Sequence, residues 1–502
     1  MKKFQKTLSL FLAIIFVMMC VVGCAGNEEE TTEGVVETVA TDSKFVSDDL
    51  PATMDFGGRD VLVQLNLMDG FGDFNQESLS PNVVEAQIYQ ATQRVNQRLN
   101  INIQFVDNKY DWEGRGEFFT KICYDIMTDL CEYDVIVGNS YIPLYGNANL
   151  FCDLAQTEYI NLDKPWYNQG MKNLFGEKVY AIQGNGILVD IKKMSCVFFN
   201  QAALDEKHID TNLYELVEKG EWTLEKLETL VKDTYYSADG TDSRTADDSY
   251  GVTFGDPNSL TPFGTALGVR LYTKQNDGTY KYNAGSSKNI DIMDAAKSFI
   301  NSNNDVLNCY GNETDDFKIT IDGQSGVSRI FAAGRALFMF GKFENAGVLV
   351  AQESIDSAQL GLLPYPKYDT NQKDYYTMGG AVSFFMPSCV KDQDCASAFI
   401  EAWNSDFYRT VVPLYFENVL QMRYSSDLKM AEMFDFVRSK RTMTFEALFE
   451  DPDILAMGNA TIKDSLAGKY GLESWTITTK KNKSKAESQI NDIMIKYGII
   501  EG

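Results

Sequence analysis

Gly138-Asn139-Ser140-Tyr141 and Lys164-Pro165-Trp166-Tyr167 are two short runs that bring together amide, hydroxyl and large aromatic side chains. Such a set suits a polyhydroxylated solute. An aromatic face can cover apolar C–H surface while amides, hydroxyls and carboxylates exchange hydrogen bonds with a rim of hydroxyl groups. Asp69, behind an apolar run, adds a carboxylate. Tyr376, Gly379 and Gly380 precede a further apolar run, where glycine serves either close backbone approach to a ligand or a hinge. Each residue also has a plainer reading. Asp69, Asn139, Ser140 and Tyr141 read equally as solvated loop, and Trp166 with Tyr167 as packing between elements. Trp222, beside a helix cap, and Trp403, on an apolar helical face, read as structural.

Catalytic parts are harder to assemble. His208 is the only histidine and lies in a polar stretch, so neither a Ser/His triad nor an HExxH zinc site can be built. No CxxC occurs, which removes the usual zinc and redox spacing. Asp239-Gly240-Thr241-Asp242, with Asp247 and Asp248, departs from the calcium-loop pattern and lacks its bidentate glutamate, so it reads as an acidic surface loop. No metal, cofactor or catalytic residue is expected. Two carboxylates would suffice for a glycoside hydrolase, which stays open as an alternative, as does a non-transport carbohydrate-binding surface protein. No eightfold βα rhythm supports a barrel enzyme, and the repeats of an adhesin are absent.

Charge narrows the partners. The formal net charge is −26, and phosphate backbones and anionic lipid require the opposite sign, so no nucleic acid is expected. Beyond Cys24 the cysteines are Cys123, Cys131, Cys152, Cys196, Cys309, Cys389 and Cys395, an odd number that excludes full pairing. Cys196 and Cys389 sit among apolar neighbours and read as small free hydrophobes.

These residues need a scaffold, and the hydrophobic periods supply one. Asp60–Asn66 reads as a buried strand; Val84, Ile88, Ala91, Val95 and Leu99 give a helix face; Asn100–Val106 alternates as a second strand. A helix around Phe118–Leu130 and a strand over Tyr133–Val137 continue this βαβ pattern. Ligands collect beyond the carboxyl ends of strands in such sheets, which marks Asn66–Phe74 and Gly138–Tyr141. Thr223 can cap a helix bearing Leu224, Leu227, Leu230 and Val231. Ala396, Phe399, Ile400 and Trp403 form one late apolar face, and Ile490, Ile493, Met494 and Tyr497 another.

The amino terminus sets the compartment. Lys2, Lys3 and Lys6 precede an uncharged apolar run to Gly23, too short to span a bilayer comfortably, followed by Asn27, Glu28, Glu29 and Glu30. Val21-Val22-Gly23-Cys24 resembles a bacterial lipobox, which implies cleavage of residues 1–23 and acylation of Cys24. Two or three acyl chains hold a protein on a membrane durably. Residues 24–54 are polar and without period, and read as a disordered tether.

Taken in order, GEKVYAI, CVFFNQAAL, GEWTLEKLETL, FAAGRALFMFGKFEN, LGLLPYPKY and MGGAVSFFMP resemble the family 1 extracellular solute-binding proteins of carbohydrate ABC importers. The resemblance covers nearly all of the chain after the signal. It implies an α/β, two-lobed periplasmic-binding-protein-like fold, with hinge crossings near Lys178–Gln183, Phe340–Phe343 and Met378–Ala381. Lobe 1 would hold residues 55–178 and 341–379, and lobe 2 residues 179–340 and 380–502. It also implies a stacking aromatic at Phe343, in Gly341-Lys342-Phe343, a carbohydrate ligand, ABC permease subunits as partners, a monomer, and attachment by the lipid anchor alone to the extracytoplasmic face of the cell membrane. Phe343 reads equally as core.

Overall fold

The strand, helix, strand pattern forms close to where the apolar periods place it. The computed structural model describes residues 46–502 apart from 67, 108–109, 111–113, 140–149, 173, 255–258, 309–325, 352–358, 417–427, 449–453 and 469–473. Cys24, Ser140 and Tyr141 lie outside the described residues, as does the side chain of Asp69.

The first sheet holds β1 (Arg59–Leu65), β2 (Ile101–Asp107) and β3 (Val135–Asn139), with β1 parallel to both others. Between β1 and β2 runs helix α1 (Val83–Leu99), and between β2 and β3 helix α2 (Arg115–Met127). Asn82 starts α1 by accepting the Val84 and Glu85 N–H groups on its side chain, which satisfies donors a helix start leaves over. Asn100 ends it in a left-handed conformation that asparagine tolerates. The buried residues of α1 include Val84, Ile88, Ala91, Val95 and Leu99, the face read from the sequence.

The second sheet has the order β10-β4-β9-β5-β8, from β4 (Ser195–Asn200), β5 (Tyr250–Phe254), β8 (Val306–Asn308), β9 (Ala336–Lys342) and β10 (Leu360–Leu363). A separate hairpin pairs β6 (Tyr272–Lys274) with β7 (Tyr280–Tyr282). β4 runs antiparallel to β9 and β10, while β5 is parallel to β8 and β9. β9 is buried from Ala336 to Gly341, which is why its sequence reads as an apolar run rather than an alternation. Thr223 caps the helix Leu224–Val231 by accepting the Lys226 N–H, as its sequence suggests.

The last strand, β11 (Val382–Phe385), returns to the first sheet and pairs antiparallel with β3. Three helices that matter below follow or precede it: α3 (Leu188–Lys192), α4 (Gln393–Arg409) and α5 (Val411–Phe416). α4 and α5 both pack on α1, whereas α6 (Leu428–Ser439) packs on β10. Trp403 is fully buried on α4, stacked on Phe74 at 5.0 Å and donating its indole N–H to Gly186 O at 2.9 Å. Trp222 is likewise buried, donating to Pro364 O, so both tryptophans are structural.

Sheet membership corrects the expected lobe boundaries. β10 lies within 341–379 yet joins β4, and β11 lies after 380 yet joins β3. No passage is made at Phe340–Phe343: the Phe343 N–H donates to Met194 O at 3.0 Å, and the next strand, β10, belongs to the same sheet as β9. Both strands are apolar on two faces, so their sequences do not distinguish one sheet from the other. The first passage also begins only at the end of Lys178–Gln183. Ile182 still pairs with Phe384 of β11, and the chain reaches the second sheet through α3 into β4. The return to the first sheet falls between β10 and β11, where Met378–Ala381 lies.

Two further expectations give way. The tether does not extend to residue 54, because Leu50 is buried and the Met54 N–H donates to Arg98 O at 2.8 Å. Cys389 is not free but bonded to Cys131, across 258 residues of sequence. The pairing of β11 with the edge of β3 brings these two segments together. His208 is exposed, and Cys123, Cys152, Cys196 and Cys395 are free. Asp248 accepts the Ala238 and Thr245 N–H groups, so its oxygens clip the acidic loop to itself. Among the described residues no helix is long and apolar enough to cross a membrane.

Candidate functional site between the lobes

The first passage lies tight on α4. A side chain at Gly184 would bring its first carbon within 2.0 Å of Asn404 Oδ1, so only glycine fits there. Fixed in this way, the passage holds the loop at Pro165–Gln169 beside it: the Asn185 N–H donates to Trp166 O at 2.9 Å and the Asn168 N–H to Gln183 O at 2.9 Å.

Between that loop, the passage and the ends of α4 and α6 lies a cavity of about 280 Å³. Tyr167, Asn168 and Gln169 form one wall, Asn185 and Met194 a second, and Tyr408 with Arg438 a third. Tyr408 packs on Trp166 at 5.8 Å between ring centres, and the Arg438 guanidinium lies 5.8 Å from the Tyr408 ring. Arg438 also pairs with Asp435 at 3.1 Å.

A buried ion pair stands behind this cavity. Asp190, on α3, is fully buried and contacts the guanidinium of Arg441, which also lines the cavity. Arg441 comes from the segment after α6, which runs beside Thr377 just before the second passage. Its Nη2 donates to Gln183 Oε1 at 3.0 Å; Gln183 Oε1 also accepts from Asn168 Nδ2, and Gln183 Nε2 donates to Gly380 O. Burial lowers the Arg441 guanidinium to about 9. With Asp435 opposing Arg438 and Asp190 opposing Arg441, the positive charges at the cavity are each matched by a carboxylate.

One wall reaches a second buried acid. The Tyr167 hydroxyl donates to Glu401 Oε2 at 2.6 Å, and the Asn161 N–H approaches the same oxygen at 3.4 Å. Burial pushes the Glu401 carboxyl up to about 7, against the lowering effect of those two donors.

The residues singled out from the sequence divide. Gly379 and Gly380 come to the cavity's rear: the Gly380 N–H donates to Asp190 O at 3.1 Å, and a methyl at Gly380 would sit 2.6 Å from Asp190 Oδ1. Both glycines thus pack on Asp190 where the chain returns to the first sheet. Trp166 is fully buried behind Tyr167 and Tyr408, not in the cavity wall. Phe343 is 1% exposed, packed between Phe416 and Phe434. Tyr376 is half-buried under the Arg270 guanidinium at 4.3 Å. Asn139 ends β3, and its Oδ1, like that of Asn66 at the end of β1, is buried with no partner among the described residues. The turn after β1, whose backbone includes Asp69, is tied to α3 by the Asp73–Lys192 ion pair at 2.8 Å. Asn168, Asn185, Asp190, Tyr408, Arg438 and Arg441 escaped the sequence reading because no spacing links them; they come from separate segments.

No protein-family model matches the sequence, and no curated protein does. Solved structures do match in fold. The GacH receptor of Streptomyces glaucescens GLA.O, solved unliganded and with acarbose, is similar at 13% identity over 86% of this chain and 99% of that one, with a TM-score of 0.51. A cyclo/maltodextrin-binding protein complexed with maltotetraose is similar at 14% identity, over 87% and 97%, with a TM-score of 0.51. The maltose-binding periplasmic protein of Listeria monocytogenes in complex with maltose is similar at 13% identity, over 86% and 98%, with a TM-score of 0.52. The chain therefore has the mixed α/β, two-lobed fold of periplasmic solute-binding proteins.

Proposed function

We propose that this chain is a solute-binding protein that takes a carbohydrate between its lobes and delivers it to the permease of an ABC importer. One observation carries the reading: a cavity at the lobe crossings lined by tyrosines and amides, with its arginines matched by carboxylates. Tyrosine faces suit the C–H surface of a sugar, amides suit its hydroxyls, and balanced charge suits a neutral solute. At about 280 Å³ the cavity is at the small end for ligand sites. The similar proteins solved with acarbose, maltotetraose and maltose support this ligand class.

Binding without catalysis is the better reading of the same cavity. A glycosidase needs two carboxylates facing the scissile bond, whereas Asp435 is the only carboxylate among the described lining residues and it is paired with Arg438. We further propose that Cys24 carries the acyl chains that hold a monomer on the extracytoplasmic face of the membrane. Metabolic labelling with a fatty-acid analogue tests the anchor, since label must disappear in Cys24→Ser. A thermal-shift screen of neutral mono- and oligosaccharides tests the ligand class: a sugar that binds only the native state raises the melting temperature by mass action, and no shift from any of them counts against it.

A further inference from the structure

The chain enters the fold through a short segment, Ser47–Leu50, that is bonded far more heavily than the end of a tether requires. The Asp48 side chain is 4% exposed. Its carboxylate accepts from Arg98 on α1 at 2.6 and 2.8 Å, and from Ser405 and Arg409 on α4 at 2.7 and 3.1 Å. Burial pushes this carboxyl up, yet the bonds from Arg98 and Ser405 outweigh it and hold the group well below the usual carboxylate range. Bidentate arginine contact of this kind fixes orientation as well as position.

The neighbours of Asp48 grip a different element. Asp49 accepts from Asn161 Nδ2 and Lys164 Nζ, each at 2.6 Å, and Lys164 Nζ also donates to Ser47 O at 3.0 Å. Asn161 and Lys164 begin the loop whose other end, Tyr167 to Gln169, walls the cavity. That loop is therefore held from two sides, by the first passage at Gln183 and Asn185 and by the entering segment at Ser47 and Asp49.

We infer that Ser47–Leu50 is a strap that positions the cavity wall at Tyr167–Gln169, with Asp48 bolting the strap to α1 and α4 and Asp49 carrying its hold to the loop. Asp48 and Asp49 are thus positioning residues for the solute site, and the point where the tether enters the fold is part of the site's support. The inference rests on the cavity reading only in calling this loop a wall of the solute site.

Hydrogen exchange on the ligand-free, full-length chain in detergent tests it independently of any sugar. The amides of Lys164, Tyr167 and Asn168 donate within the structure and report on the loop, while those of β9 report on the remote sheet. Asp48→Ala is the direct variant. Asp49→Ala is the second, safe for folding because the Asp49 side chain is 60% exposed. Both should speed exchange at the three loop amides at least about tenfold and leave β9 unchanged, as local opening does. If Asp49→Ala leaves the loop amides within about twofold of the parent, or speeds loop and β9 alike, the strap does not position the wall and the inference falls.

Discussion

Asp190 and Arg441 meet in a buried ion pair at the point where the first passage, the glycines of the second and the segment after α6 converge. Removing one partner of such a pair strands a buried charge, whereas replacing both with apolar groups is far milder. Asp190→Asn should therefore cost about 3–5 kcal/mol in urea unfolding, and Asp190→Leu with Arg441→Met should recover most of it. A loss below about 1 kcal/mol for Asp190→Asn would mean that the pair is open to water and does not pin the crossing.

Phe343 and Trp166 should behave as core. Both are essentially unexposed, so Phe343→Ala and Trp166→Ala should each lower stability by about 3–5 kcal/mol through the cavity left behind. Sugar affinity of the folded fraction should stay near parental for Phe343→Ala. A variant of near-parental melting temperature that has lost affinity would restore Phe343 as a stacking platform.

How far the sequence speaks depends on range. The face of α1 is legible because burial repeats at the helical period, β1 reads as a short apolar run, and Gly379 and Gly380 stand out as a glycine pair just before another such run. Which sheet β10 and β11 join is not legible, since Leu360–Leu363 and Val382–Phe385 are both short apolar runs and pairing is decided by distant partners. The cavity is hidden for the same reason. Tyr408 and Arg438 are ordinary residues on helices until α4 and α6 bring them to the Tyr167 loop. Asp48 looked like tether because an acidic residue in a polar stretch gives no sign that two arginines and a serine await it.

Glu401 sets a pH dependence of definite sign. Its carboxyl is raised from 4.5 to about 7 in the folded state, so the neutral form is favoured by folding. That contribution is fully present below about pH 4.5, is lost progressively as pH rises to about 7, and amounts to at most about 3 kcal/mol. Glu401→Gln, which keeps the shape and a neutral group, should flatten the decline in stability across this window. Melting curves of parent and variant at pH 5 and pH 7.5 decide it; parallel declines would show that Glu401 titrates at its ordinary value when folded.

The account stands on the cavity at the lobe crossings being where a sugar sits, and calorimetric titration of the parent and of Tyr408→Ala with the sugar that raises the melting temperature most tests it directly. Tyr408 offers a ring to the cavity and packs on Trp166, so truncating it should remove a central contact worth about 2 kcal/mol. The prediction is a single saturable site in the parent and a dissociation constant roughly thirtyfold weaker in Tyr408→Ala. Equal affinity in a folded Tyr408→Ala would place the solute elsewhere and contradict the assignment.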